Sequence, residues 1–119
     1  MKAYFAKKII TKKETLSEAF LLEDHGKIVG IEKTLKKDIP VVVYENCILA
    51  PGFIDVHTHG ALGYETGFGS KEELLKWSEF ELIHGVTGFL PSTAAIPLNN
   101  IEKAAINITE IAQKPFSNV

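Results

Sequence analysis

Near residue 50 the spacing of apolar residues changes character, and that change limits what this chain can fold into. Before it, apolar residues come in short β-branched and aromatic runs separated by turn residues, the pattern of strands. After it, short apolar runs alternate with longer segments of helical period, giving strand–helix–strand–helix. Two consecutive units of that kind imply parallel strands and a right-handed crossover. The expected fold class is therefore α/β, with a small antiparallel β-domain over residues 1–50 and two strand–helix units over residues 51–119.

The first half reads as a meander. Strands are expected at residues 4–11 and 19–22, then a turn at Asp24-His25-Gly26, where Gly26 takes positive φ. Residues 27–32 return, and Val41-Val42-Val43-Tyr44 makes a further strand after Pro40. In the second half, Pro51-Gly52 leads into a strand over residues 52–56. Ser70 and Glu73 form a capping box that starts a helix carrying Leu74, Leu75, Trp77, Phe80, Leu82 and Ile83. Gly85 closes that helix with a left-handed cap. Residues 86–90 form the next strand, halted by Pro91. Ile101, Ala104, Ala105, Ile108, Ile111 and Ala112 share one face of a last helix, which Pro115 ends. The 119 residues leave room for one modest core.

Charge excludes some partners. A net charge of −2 offers no electrostatic case for nucleic acid or an anionic membrane surface. All 13 basic residues are lysine, so the bidentate guanidinium clamp for phosphate or carboxylate is missing. The first eight residues hold no long apolar run, and the single cysteine, Cys47, fits a reducing compartment; the expected location is cytoplasmic.

Chemistry concentrates in Pro51-Gly52-Phe53-Ile54-Asp55-Val56-His57-Thr58-His59-Gly60. With a side-chain period of two, Phe53, Asp55, His57 and His59 share one face, while Ile54, Val56 and Thr58 form an apolar face suited to lie beneath helices. A carboxylate and two imidazoles do not suit a plain core. Two histidines at i and i+2 bring their ring nitrogens near a common point, and neutral imidazole suits zinc, iron and other first-row metals. They stand at the C-terminal end of the strand, where parallel α/β folds place active sites. His57 and His59 are the expected metal ligands. Asp55 either fixes an imidazole tautomer through a hydrogen bond or pairs with a cation in the strand layer, and the residues leave both open.

The decapeptide resembles the first-strand signature of the metal-dependent amidohydrolase superfamily, built on a TIM barrel. Gly85-Val86-Thr87-Gly88-Phe89-Leu90-Pro91-Ser92-Thr93 is similar to the second strand of the N-acetylglucosamine-6-phosphate deacetylases. The resemblance runs the length of the chain, since those enzymes begin with a small β-domain. It implies that residues 51–119 are the first two units of an incomplete barrel, because a closed one takes eight units and about 200 residues or more. It also implies that His57 and His59 bind the more buried metal, most simply zinc, and that the full-length enzyme hydrolyses the acetamide of an amino sugar phosphate to glucosamine-6-phosphate and acetate. A metal-activated water would attack, and a carboxylate would move its proton. That carboxylate and the remaining ligands belong to segments after Asn118-Val119, so no catalytic residue is expected in this chain. It reads as an N-terminal fragment, inactive alone. Uncovered apolar faces would make it a homo-oligomer. A dihydroorotase-like or deaminase-like enzyme, or a non-catalytic assembly module, are the alternatives.

Other residues read as structure. His84 caps a helix C-terminus, His25 is a solvated turn residue, Trp77 belongs to the core, and Cys47 is a small buried residue. The lysine pairs at 7–8, 12–13 and 36–37 are solvated faces. Ser92 and Thr93 read first as turn residues, and second as contacts to the site or substrate.

Overall fold

The computed structural model describes residues 1–36, 38–114 and 119 and divides into two units, Met1–Pro51 and Gly52–Val119. Lys37, the helix stop expected at Pro115 and the position of Asn118 lie outside the described residues. Among those described, no helix is long and apolar enough to cross a membrane.

The first unit is a four-stranded sheet of β1 (Lys2–Ile10), β2 (Thr15–Asp24), β3 (Lys27–Glu32) and β4 (Val41–Leu49), in the order β3-β2-β1-β4. His25 and Gly26 turn the β2–β3 hairpin, both with positive φ, at 50° and 77°. That conformation suits the right-handed twist of two strands joined by a two-residue loop. The Glu23 carboxylate accepts the Gly26 N–H at 2.6 Å, and His25 is exposed as expected.

The antiparallel meander holds for three strands and fails at the fourth. β1–β2 and β2–β3 are antiparallel, whereas β4 lies parallel to β1, with Ala3 opposite Val41. The reason is the connection after β3. Three strand spacings of about 4.8 Å each separate the sheet's edges, a span that eight extended residues at about 3.3 Å each can cover. The connection between β3 and β4, described at residues 33–36 and 38–40, returns the chain to the sheet running the same way as β1.

Cys47 is also corrected: it is exposed. β4 is an edge strand, and its register against β1 slips between Ala6 and Lys8, where residues 45–47 of β4 bulge opposite Lys7. A residue in a bulge on an uncovered edge has nothing to bury it. The core of this sheet is built from small side chains, with Ala6, Ile9 and Ala19 buried and Leu16, Leu21, Ile31 and Leu49 around them. With the cluster of the second unit, the described residues form two small cores rather than one.

The second unit runs β5 (Phe53–Thr58), α1 (Lys71–Ile83), β6 (Val86–Pro91) and α2 (Leu98–Ala112), with β5 and β6 parallel. The capping box forms as expected: Ser70 Oγ accepts from Glu73 N at 3.2 Å, and Ser70 N donates to the Glu73 carboxylate at 2.7 Å. At the other end His84 is the C-cap, its Nδ1 lies 2.8 Å from the Phe80 carbonyl, and Gly85 follows at φ 87°. Trp77 and Phe89 meet at 4.8 Å between ring centroids and form the core with Leu74 and Ile111. The Trp77 indole keeps its N–H satisfied on the Glu81 carboxylate at 2.7 Å. Lys71 pairs with Glu110, tying α1 to α2.

The face of β5 expected beneath helices is open: Ile54 is 65% and Val56 69% exposed. Leu74 and Trp77 of α1 and Ile111 of α2 cluster with Phe89 of β6, so the layer that covers a parallel strand forms over β6 and not over β5. β6 also includes Pro91, one residue past the expected stop. Proline is tolerated there because the next donor in the ladder is Ser92, whose N–H reaches the Thr58 carbonyl at 2.7 Å.

Candidate metal centre

β5 ends at Thr58, and the chain turns out of the strand through His59 and Gly60. Gly60 adopts φ 153°, and a Cβ built on it would overlap the Tyr64 carbonyl oxygen. Only glycine lets the 60–65 loop close so tightly after His59. Thr66 shuts the loop. Its backbone N–H and its hydroxyl both donate to the His59 carbonyl, at 2.9 and 3.0 Å, and the residue is 8% exposed. Nothing in the spacing of the sequence singles out Thr66 for this contact.

The two imidazoles stand side by side as the strand period predicts. Their ring centroids are 4.8 Å apart and their planes are nearly perpendicular, at 89°. Both side chains are exposed. Asp55 is on the same strand, and its carboxylate does neither of the two things expected of it. It accepts the backbone N–H of His57 at 3.0 Å, so it fixes the strand end and not a ring.

The rings are held instead from β6. Ser92 O lies 2.9 Å from Nδ1 of His59, and Ser92 Oγ lies 3.2 Å from Nδ1 of His57. The contact reading of Ser92 is thus the one the geometry realises, with the residue anchored by its amide on Thr58. The signal for it was the parallel pairing itself, which sets the residue after β6 beside the last residues of β5.

Two imidazoles are donors that fit zinc, iron or another first-row cation. Among the described residues, no group of three or more His, Cys, Asp or Glu side chains gathers where a metal could be held. Zinc sites draw on three or four protein ligands. Among the described residues, the two imidazoles fit a divalent ion as two of its ligands.

The fold is similar to part of solved deacetylase structures. The N-acetyl-D-glucosamine-6-phosphate deacetylase of Mycobacterium smegmatis superposes with a TM-score of 0.84 at 16% identity, over 99% of this chain and 34% of that one. Sequence gives similar relatives. The chain is 31% identical over 114 residues to the N-acetylgalactosamine-6-phosphate deacetylase of Escherichia coli O157:H7, covering 89% of this chain and 29% of the relative. It is 29% identical over 105 residues to the N-acetylglucosamine-6-phosphate deacetylase of Bacillus subtilis strain 168, covering 86% of this chain and 26% of that protein. No family model matches. The chain is thus similar, over most of its length, to a portion of the amino-sugar-6-phosphate deacetylases, and it spans less than a third of the curated relatives it matches.

Proposed function

We propose that this chain is the metal-anchoring N-terminal portion of a metal-dependent deacetylase acting on an N-acetylated amino sugar 6-phosphate in the cytoplasm. The observation that carries the reading is the pair His57 and His59, set edge to face at the end of β5, in a chain whose relatives bear that activity. The two β/α units from Gly52 onward are read as the start of a TIM barrel.

In this reading His57 and His59 hold a divalent ion, with zinc the first choice, and the rest of the coordination sphere comes from outside this stretch. When bound, the ion supplies polarisation of the acetyl carbonyl and acidification of a water. Asp55 and Thr66 hold the backbone on either side of the two histidines, so that the rings leave the strand at a fixed angle. With two ligands and no general base among its assigned residues, the chain alone hydrolyses nothing. Exposed Phe53, Ile54, Val56 and Leu90 support association through the β5–β6 sheet.

The test is a zinc titration of this chain beside its His57→Ala, His59→Ala double variant, read by metal analysis and calorimetry. We expect weak uptake that the double variant abolishes. Equal uptake by both proteins would refute the assignment of the two histidines. The substrate is tested in the longer gene product by acetate release from the two epimeric N-acetylhexosamine 6-phosphates.

A further inference from the structure

Ser92 makes three bonds to three consecutive residues. Its N–H donates to the Thr58 carbonyl at 2.7 Å, its carbonyl meets His59 Nδ1 at 2.9 Å, and its hydroxyl meets His57 Nδ1 at 3.2 Å. The parallel ladder between β5 and β6 makes this possible. Thr58 pairs with Pro91, so the next amide of β6 falls opposite the carbonyl between the two histidines.

Each contact decides where a proton sits. A carbonyl oxygen only accepts, so Nδ1 of His59 must carry its hydrogen and donate it. The hydroxyl of Ser92 has one hydrogen, and it also lies 3.2 Å from the Leu90 carbonyl, which likewise only accepts. Both hydroxyl contacts are satisfied together when Oγ donates to Leu90 and accepts from His57. Nδ1 of His57 then carries its hydrogen too. In both rings Nε2 is left with a bare lone pair, the form in which a neutral imidazole binds a metal.

We infer that Ser92 is a positioning residue that sets both imidazoles in the Nδ1–H tautomer and so leaves both Nε2 atoms with a bare lone pair before any metal arrives. Its use rests on the metal-centre reading; its geometry does not. The two rings are controlled by different parts of the same residue, His59 by backbone and His57 by side chain. A substitution at Ser92 therefore separates them.

The experiment is nitrogen NMR of the histidine rings in the metal-free chain, above the imidazole titration range, for the parent, Ser92→Ala and Ser92→Thr. We expect both parent rings to be protonated at Nδ1. In Ser92→Ala, His57 should lose that preference while His59 keeps it, and Ser92→Thr should restore His57. Zinc affinity of the alanine variant should fall by about tenfold or more, as for other groups that orient a ligating histidine. A parent His57 protonated at Nε2, or a His57 signal identical in parent and alanine variant, would overturn the inference. Should the alanine variant not fold, the parent spectrum and the threonine variant still decide: both must show Nδ1–H on both rings. A chain with these tautomers that takes up no zinc would refute the metal reading and leave the role of Ser92 intact.

Discussion

Phe89 is the side chain whose loss the second unit should feel most legibly. It is 2% exposed on β6, with its ring 4.8 Å from Trp77 and tilted by 52°, and Leu74 and Ile111 complete the cluster. Phe89→Leu keeps an apolar side chain there but removes the ring pair, worth about 0.5–1.5 kcal/mol. It also gives up three buried side-chain carbons at about 0.8 kcal/mol each, for a total loss of about 3–4 kcal/mol. Phe89→Ala leaves a cavity and should cost about 3–5 kcal/mol. A unit of this size holds about 3–10 kcal/mol in all, at roughly 0.05–0.15 kcal/mol per residue. The alanine variant should therefore lose most of its cooperative transition. Trp77 is the chain's single tryptophan and lies in this unit, so its fluorescence in urea follows this core alone. With a slope of about 1 kcal/mol/M, Phe89→Leu should lower the midpoint by about 3–4 M. Ile83→Ala, at a side chain 79% exposed, should stay within about 0.5 kcal/mol of the parent. Equal midpoints for Phe89→Leu and the parent, or equal losses for Phe89→Leu and Ile83→Ala, would refute the argument.

Two further outcomes follow from local contacts. Ser70→Ala removes the hydroxyl that accepts the Glu73 N–H and should cost about 1 kcal/mol in the same fluorescence transition. The Lys71 ammonium, by hydrogen bond first and charge second, holds the Glu110 carboxyl below its ordinary 4.5. A depressed folded value means the stabilising contribution is present above the ordinary value and is lost as pH falls through the folded one. Lys71→Met should thus be less stable than the parent near neutrality, with the gap closing as pH drops below about 4.5 and narrowing with salt. A gap that widens in acid would contradict the pairing.

What the sequence determined by itself is local. The β2–β3 turn needs a left-handed pair that His25 and Gly26 can adopt, the helix start needs a cap that Ser70 and Glu73 provide reciprocally, and the two histidines need only a strand period of two to stand side by side. Each depends on residues within a few positions of one another, so composition and spacing carry the information. Tertiary structure decided the rest. The parallel placement of β4 comes from where residues 33–40 can carry the chain, and the exposure of Cys47 from a register slip against β1. The open Ile54–Val56 face follows from helices settling on β6. The site shows the same division. Asp55, on the strand itself, left a ring contact and an ion pair both open in the sequence, and took the backbone amide of His57, two residues away. Ser92, more than thirty residues from the histidines, holds both rings, because parallel pairing of β5 and β6 sets it opposite the carbonyl between them. Long-range pairing is what no local pattern encodes.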